Sequence, residues 1–304
     1  MRFITVVITL FAAMLAAAPA PAQQTGALDR IRALAVETAE SGRLTVLYSD
    51  HDGPRLDTDR ETALAVARPL ADAAEFFADR LGGDLHLTLA LLSPRDWGRT
   101  GGPLQPLPWH AQADRLVVMP VRANLAMMAS GPDSVRTRRI MEVVALHQLG
   151  HMVTATYLQP AGFRGPAPPV RWFDELLASY FAYSYMRASA PELATFMTDL
   201  AREITRGTEP RFSGLVQYDA FYESYLSVPQ GSDNHGWYHN AFNLRAAELY
   251  GQHGEELMHA IRSELPWSRL ESWTTEELLE LLEPIAPGFL AWSEEMASVT
   301  RKRY

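Results

Sequence analysis

Apolar positions follow two regimes along this chain. In the first part, short runs rich in Leu and Val surround one long amphipathic stretch; from residue 135 onward, apolar residues recur at helical spacing. Residues 27–40 place Leu28, Ile31, Leu34 and Ala35 on one face and predict a short helix stopped by Ser41-Gly42. Residues 44–48 (L-T-V-L-Y) and 86–92 (H-L-T-L-A-L-L) read as strands. Between them, residues 60–81 carry Val66, Leu70, Ala73, Ala74, Phe77 and Leu81 at helical spacing, with Pro69 inside the pattern as a kink or late start. The D-H-D-G-P cluster at 50–54 reads as a loop, and residues 96–114, rich in Gly and Pro, as a long surface loop holding Trp97 and Trp109. Residues 115–121 (R-L-V-V-M-P-V) are a third strand, and Pro120 points to a sheet edge because it cannot donate to a ladder.

The second regime predicts helices over 135–157, 171–188, 191–205, 241–265, 275–282 and 288–299, with a Pro/Gly-rich loop over 158–170. The fold class is therefore α+β. A small mixed sheet with an edge strand occupies the N-terminal part and packs on a mainly helical C-terminal part. The composition shift near 125–135 divides the chain into an α/β subdomain over 23–125 and a helical subdomain over 126–304.

Residues 1–22 stand apart. Arg2, an apolar run from Phe3 to Leu15, and Ala-Pro-Ala at 20–22 have the form of a secretory signal peptide, with Gln23 as the mature start. The apolar run is shorter than the roughly 20 residues needed to span a bilayer. Export to the periplasm or medium is the expectation, with no membrane embedding afterwards. The chain has no cysteine, so its core must hold it without disulfides. Its net charge is −9 and Lys302 is the only lysine, which argues against nucleic acid as a partner.

The candidate chemistry begins in V-V-A-L-H-Q-L-G-H-M-V at 143–153. On a helix, His147 and His151 lie one turn apart on one face, the ligand geometry of H-E-x-x-H zinc peptidases. A zinc held by two such His needs a third protein ligand, commonly a carboxylate on a neighbouring helix. Glu175 sits in the first turn of the next central helix, after the Pro-rich loop, and Ala178 is small enough for close helix approach. A second H-x-x-x-H, His235 and His239, reads as a loop running into a helix start and is a weaker metal candidate. Thr154 and Tyr157 exclude the metzincin pattern, and no G-x-S-x-G supports a serine hydrolase.

These segments, H-Q-L-G-H and W-F-D-E-L-L-A-S-Y, resemble the gluzincin group of zinc metallopeptidases. The likeness is to bacterial peptidase MA-like proteins related to M1-type aminopeptidases, with matches at His147, His151, Trp172, Glu175, Ala178 and Tyr180. The resemblance implies a thermolysin-like core, zinc on His147, His151 and Glu175, and an edge strand beside the substrate. It also implies a tyrosine that donates to the oxyanion, for which Tyr238 is the choice by position and Tyr222 and Tyr225 are rivals. Two positions depart from the pattern: Gln148 stands where the general-base Glu belongs, and Leu176 replaces a usual Gly.

Gln148 can hold a water but cannot take its proton, and general acid–base catalysis is worth roughly 10²–10⁴-fold in rate. Asp174 points about 100° away from its helical neighbour Glu175, and Glu142 lies five residues before His147. Three readings follow: a zinc-binding protein with lost or very weak activity whose cleft binds a peptide or protein; a working zinc hydrolase with an unusual base; and a metal-free helical binding protein.

Overall fold

The computed structural model describes residues 26–34, 36–49, 60–82, 85–100, 108–121, 134–158, 170–227, 229–265 and 273–301. The signal peptide expected over 1–22, the 50–54 loop and residues 159–169 lie outside these ranges. The protein is α+β, with a small mixed sheet followed by a helical second part. Its contacts separate two compact units, one ending at Val153 and the other starting at Thr154.

The first unit opens with α1 (Ala27–Arg32), β1 (Glu37–Ser41) and β2 (Leu44–Tyr48). The single helix expected over 27–40 is thus half helix and half strand. β1 pairs antiparallel with β2, from Glu37↔Tyr48 to Ser41↔Leu44, around the two-residue turn Gly42-Arg43. Gly42 has φ +55°, the left-handed first position of a hairpin turn, and strand pairing overrides the local helical pattern. A Cβ on Gly42 would also lie 3.6 Å from the Ala71 methyl.

α2 (Arg60–Leu81) runs through Pro69 without interruption. Pro69 is on the exposed side, where the missing N–H and the bulk of the ring are best tolerated. β3 (Leu87–Leu92), α3 (Pro94–Trp97), β4 (Trp109–Ala111), a 3-10 turn and β5 (Leu116–Pro120) follow. The strand order is β1-β2-β3-β5-β4, with β2–β3 and β3–β5 parallel and β4–β5 antiparallel.

Two expectations are corrected here. The strand containing Pro120 is interior, and the edge strands are β1 and β4. Val121 N–H bonds the Leu92 carbonyl, so the neighbouring Pro120 nitrogen points the other way, past the end of β4, whose pairing stops at Val118. No ladder bond is lost there, and the proline is tolerated. The segment read as a surface loop buries both Trp97 and Trp109. Ser93 caps α3 through the Asp96 N–H, and the Asp96 carboxylate accepts from the Ser49 hydroxyl at 2.7 Å.

Strand alternation sorts the side chains. Leu47, Ala90, Leu92, Trp109, Ala111, Leu116 and Val118 form one face with Ile31 of α1, Leu34 just after it, and Trp97. The alternate residues, including Val46, Leu89, Val117 and His110, face the other side. α2 packs against β1 and β2, and α4 (Ser134–Val153) against β4 and β5. Cover on both faces explains why β3 is buried at every position.

In the second unit a π-helical turn (Thr154–Leu158) precedes α5 (Arg171–Ser189), α6 (Pro191–Gly207), α7 (Leu215–Ser227), α8 (Pro229–His253), α9 (Glu256–Glu264), α10 (Thr275–Leu282) and α11 (Phe289–Arg301). α5 buries Trp172, Phe173, Tyr180 and Phe181, and α8 packs along α5, α6 and α7. The helix expected over 241–265 in fact starts twelve residues earlier, at Pro229, a favoured first helical residue. It ends at His253, where Gly254 takes φ +57°, and its N–H bonds the Tyr250 carbonyl. α9 then starts afresh at Glu256.

Candidate metal centre

α4 carries the histidine pair as expected. His147 and His151 are both buried, their Nε2 atoms lie 3.1 Å apart, and their rings meet edge-on at 4.7 Å. Two imidazole nitrogens on a tetrahedral ion at roughly 2.05 Å would be about 3.4 Å apart, close to this spacing. The same contact also serves as a hydrogen bond between neutral rings of complementary tautomer.

Gln148 lies three residues before His151, as its neighbour on the helix surface, and about 100° round the axis from His147. It is buried, and its Oε1 accepts a hydrogen bond from Nδ1 of His110. His110 stacks on His151, ring centroids 4.4 Å apart and planes 27° from parallel. It reaches this position because β4 alternates: Trp109 and Ala111 fill the opposite face, and His110 turns toward α4. Sequence reasoning missed His110. A three-residue strand inside a Gly/Pro-rich stretch has no period to detect, and the alternation W-H-A was its only signal. Glu142, by contrast, pairs with Arg138 at 4.0 Å on the outer side of α4.

In the second unit, α5 presents Glu175. Its Oε2 lies 3.5 Å from Nδ1 of His239 on α8, and its Oε1 lies 3.5 Å from the Tyr222 hydroxyl on α7. His239 Nε2 in turn meets the Tyr218 hydroxyl at 3.4 Å. Burial first, and then the negative charge of Glu175, pushes the Tyr218 hydroxyl well above the usual tyrosine range, so it stays protonated as a hydrogen-bonding group. Arg171 lies over the Tyr222 ring at 4.2 Å.

The second His pair proves to be mid-helix rather than at a loop boundary. His235 and His239 face the same side of α8 with rings 4.3 Å apart, and His235 stacks parallel to Tyr218 at 5.9 Å. Among the described residues they belong to no group of three metal-binding side chains. Tyr238, the residue chosen by position as oxyanion donor, donates its hydroxyl to the Gly214 carbonyl at 2.8 Å. Its rival Tyr222 is the tyrosine whose hydroxyl faces Glu175; the Tyr225 side chain lies outside the described residues.

The N-terminus of α5 is held from a distance. Val170, its N-cap residue, supplies no side-chain cap. Asp219 of α7 does so instead, accepting from the Trp172 N–H at 3.1 Å and from the Thr275 hydroxyl at 3.2 Å. Thr275 itself accepts from the Trp172 indole N–H. Burial raises the Asp219 carboxyl to about 6, against the lowering effect of these hydrogen bonds.

His147, His151 and Glu175 each offer one ligand atom, all three side chains are buried, and the three atoms lie within 4.8 Å of one another. Two imidazole nitrogens and one carboxylate oxygen form a donor set that could hold a metal ion. Among the described residues, no helix is long and apolar enough to cross a membrane. No family model matches the chain, and no curated protein matches it significantly.

Proposed function

We propose that this chain is an exported, zinc-binding protein of the gluzincin metallopeptidase type, with a thermolysin-like core, in which hydrolysis is lost or very weak and the site serves to bind a peptide or protein. One observation carries the reading: the buried His147–His151–Glu175 donor set, with Gln148 at the position of the general base. Zinc suits two imidazoles and a carboxylate with one position left for a further ligand. When bound it would polarise an oxygen of whatever occupies that position.

The chain's own residues then act as follows. His147 and His151 donate through Nε2. Glu175 supplies the carboxylate, steadied by His239 and Tyr222, as outer-shell partners steady metal ligands generally. Gln148 holds an oxygen by hydrogen bonding but takes no proton, which removes the step that a glutamate performs. The signal-like segment at 1–22 supports export.

The test is metal content of the chain from Gln23, purified without tag or chelator, beside His147→Ala. About one zinc per chain, lost in the variant, is the expected result. A second reading is favoured by the 3.1 Å His147–His151 contact, which a metal-free protein satisfies as a hydrogen bond. Absence of metal from the unaltered chain would select it. The working-hydrolase alternative is tested by assaying peptide and ester libraries with the unaltered chain and with Gln148→Glu. Turnover in the unaltered chain would support it.

A further inference from the structure

The Gln148 side chain is held in one sense. An amide oxygen only accepts and an amide nitrogen only donates, so a bond from His110 to Oε1 requires the proton on His110 Nδ1 and turns the –NH2 group away from His110. His110 itself is well anchored: it is buried on β4, its neighbours pair with β5 at Trp109↔Val118 and Ala111↔Leu116, and its ring stacks on His151. Gln148 is 6% exposed, yet its amide nitrogen makes no hydrogen bond among the described residues. That leaves the amide nitrogen as a donor at the little solvent that reaches this residue, open to an oxygen-bearing ligand beside the histidine pair.

We propose that the His110–Gln148 pair makes this face of α4 a receptor for a free carboxylate, with the Gln148 –NH2 group donating to one carboxylate oxygen at the His147–His151 pair. The proposal rests on the metal reading above and deepens it. Charge favours the same ligand. A divalent cation with two neutral imidazoles and the Glu175 carboxylate keeps one positive charge, which one carboxylate neutralises. A glutamate in place of Gln148 would already have neutralised it and would repel the ligand. The exchange that removes the proton acceptor of a peptidase therefore also removes the charge that keeps acids out.

The experiment uses the chain from Gln23 loaded with cobalt(II), whose visible bands report a change of ligand. Acetate, an N-acetyl dipeptide with a free C-terminus, and the same dipeptide as its C-terminal amide are titrated in turn. Saturable band shifts with acetate and the peptide acid are expected, with binding of the amide weaker by at least about tenfold, the worth of a hydrogen bond to a charged group. Gln148→Leu and His110→Phe should each weaken the acids by about the same factor, with cobalt stoichiometry and circular dichroism unchanged. Tighter binding of the peptide acid than of acetate assigns the ligand to peptide C-termini; the reverse order assigns it to small acids. Cobalt uptake with acid binding equal in the unaltered chain and in both variants would overturn the proposal alone. Failure to take up cobalt would overturn the metal reading and the proposal with it.

Discussion

Asp219 sets a pH dependence that can be worked through from its surroundings. It is a half-buried carboxyl whose desolvation outweighs its bonds from Trp172 and Thr275 and raises it from 3.8 to about 6. A group raised on folding favours the folded state while protonated. Its contribution is whole below the unfolded value near 3.8 and is lost as the pH rises through 6. Each unit is worth about 1.4 kcal/mol, so ionised Asp219 costs the fold up to about 3 kcal/mol at pH 7. Asn at this site keeps an oxygen for the Trp172 N–H and offers an N–H to the Thr275 oxygen, so the geometry survives without the charge. The assay is thermal unfolding of the unaltered chain and Asp219→Asn, both metal-free, at intervals from pH 4 to pH 7.5. Taking the difference cancels the other titrating groups, the buried histidines included. The variant should gain on the unaltered chain as pH rises, by roughly 5–10 °C in Tm between the two ends at 2–4 °C per kcal/mol. Parallel curves would refute the reasoning, because burial would then not be what governs this carboxyl. A variant that loses ground with rising pH would show that the ionised form caps α5 better than it suffers from burial.

Three further outcomes are expected. His239→Phe removes the imidazole beside Glu175 and should weaken metal binding about 10–100-fold in a chelator competition. Tyr222→Phe and Tyr238→Phe should separate cleanly: the first lowers metal affinity through Glu175, whereas the second leaves it unchanged and costs about 1 kcal/mol of stability through the lost bond to Gly214, read by denaturant titration. Addition of metal at a thousand times its Kd should stabilise the chelated protein by about 4 kcal/mol, and His151→Ala should abolish the shift.

What local pattern encodes, the sequence reading recovered. Arg60–Leu81 and Thr275–Leu282 begin and end where periodicity and breakers place them, and Arg171–Ser189 differs by one residue. Helices are closed by hydrogen bonds four residues apart, so their signal lies within the segment itself. The spacing of His147 and His151 is legible for the same reason, and so is the chemical identity of Gln148. A strand lacks that independence. Residues 37–41 look helical in isolation and become β1 because β2 offers a partner across a glycine turn. Trp109–Ala111 has only three residues and exists as a strand through its pairing with β5.

The partners of the candidate site were beyond reach for a similar reason. His110 meets Gln148 across 38 positions, Tyr222 meets Glu175 across 47, and Asp219 caps Trp172 across 47. His239 had its own motif-like spacing with His235, which said nothing of Glu175. The sequence by itself determined the helices that carry His147, His151 and Glu175, the fold class and the types of donor available. Tertiary structure alone decided that β4 rather than β5 lies at a sheet edge, which tyrosine faces Glu175, and that a histidine of β4 holds Gln148. Contacts between distant segments depend on the chain's complete path, and no local period records them.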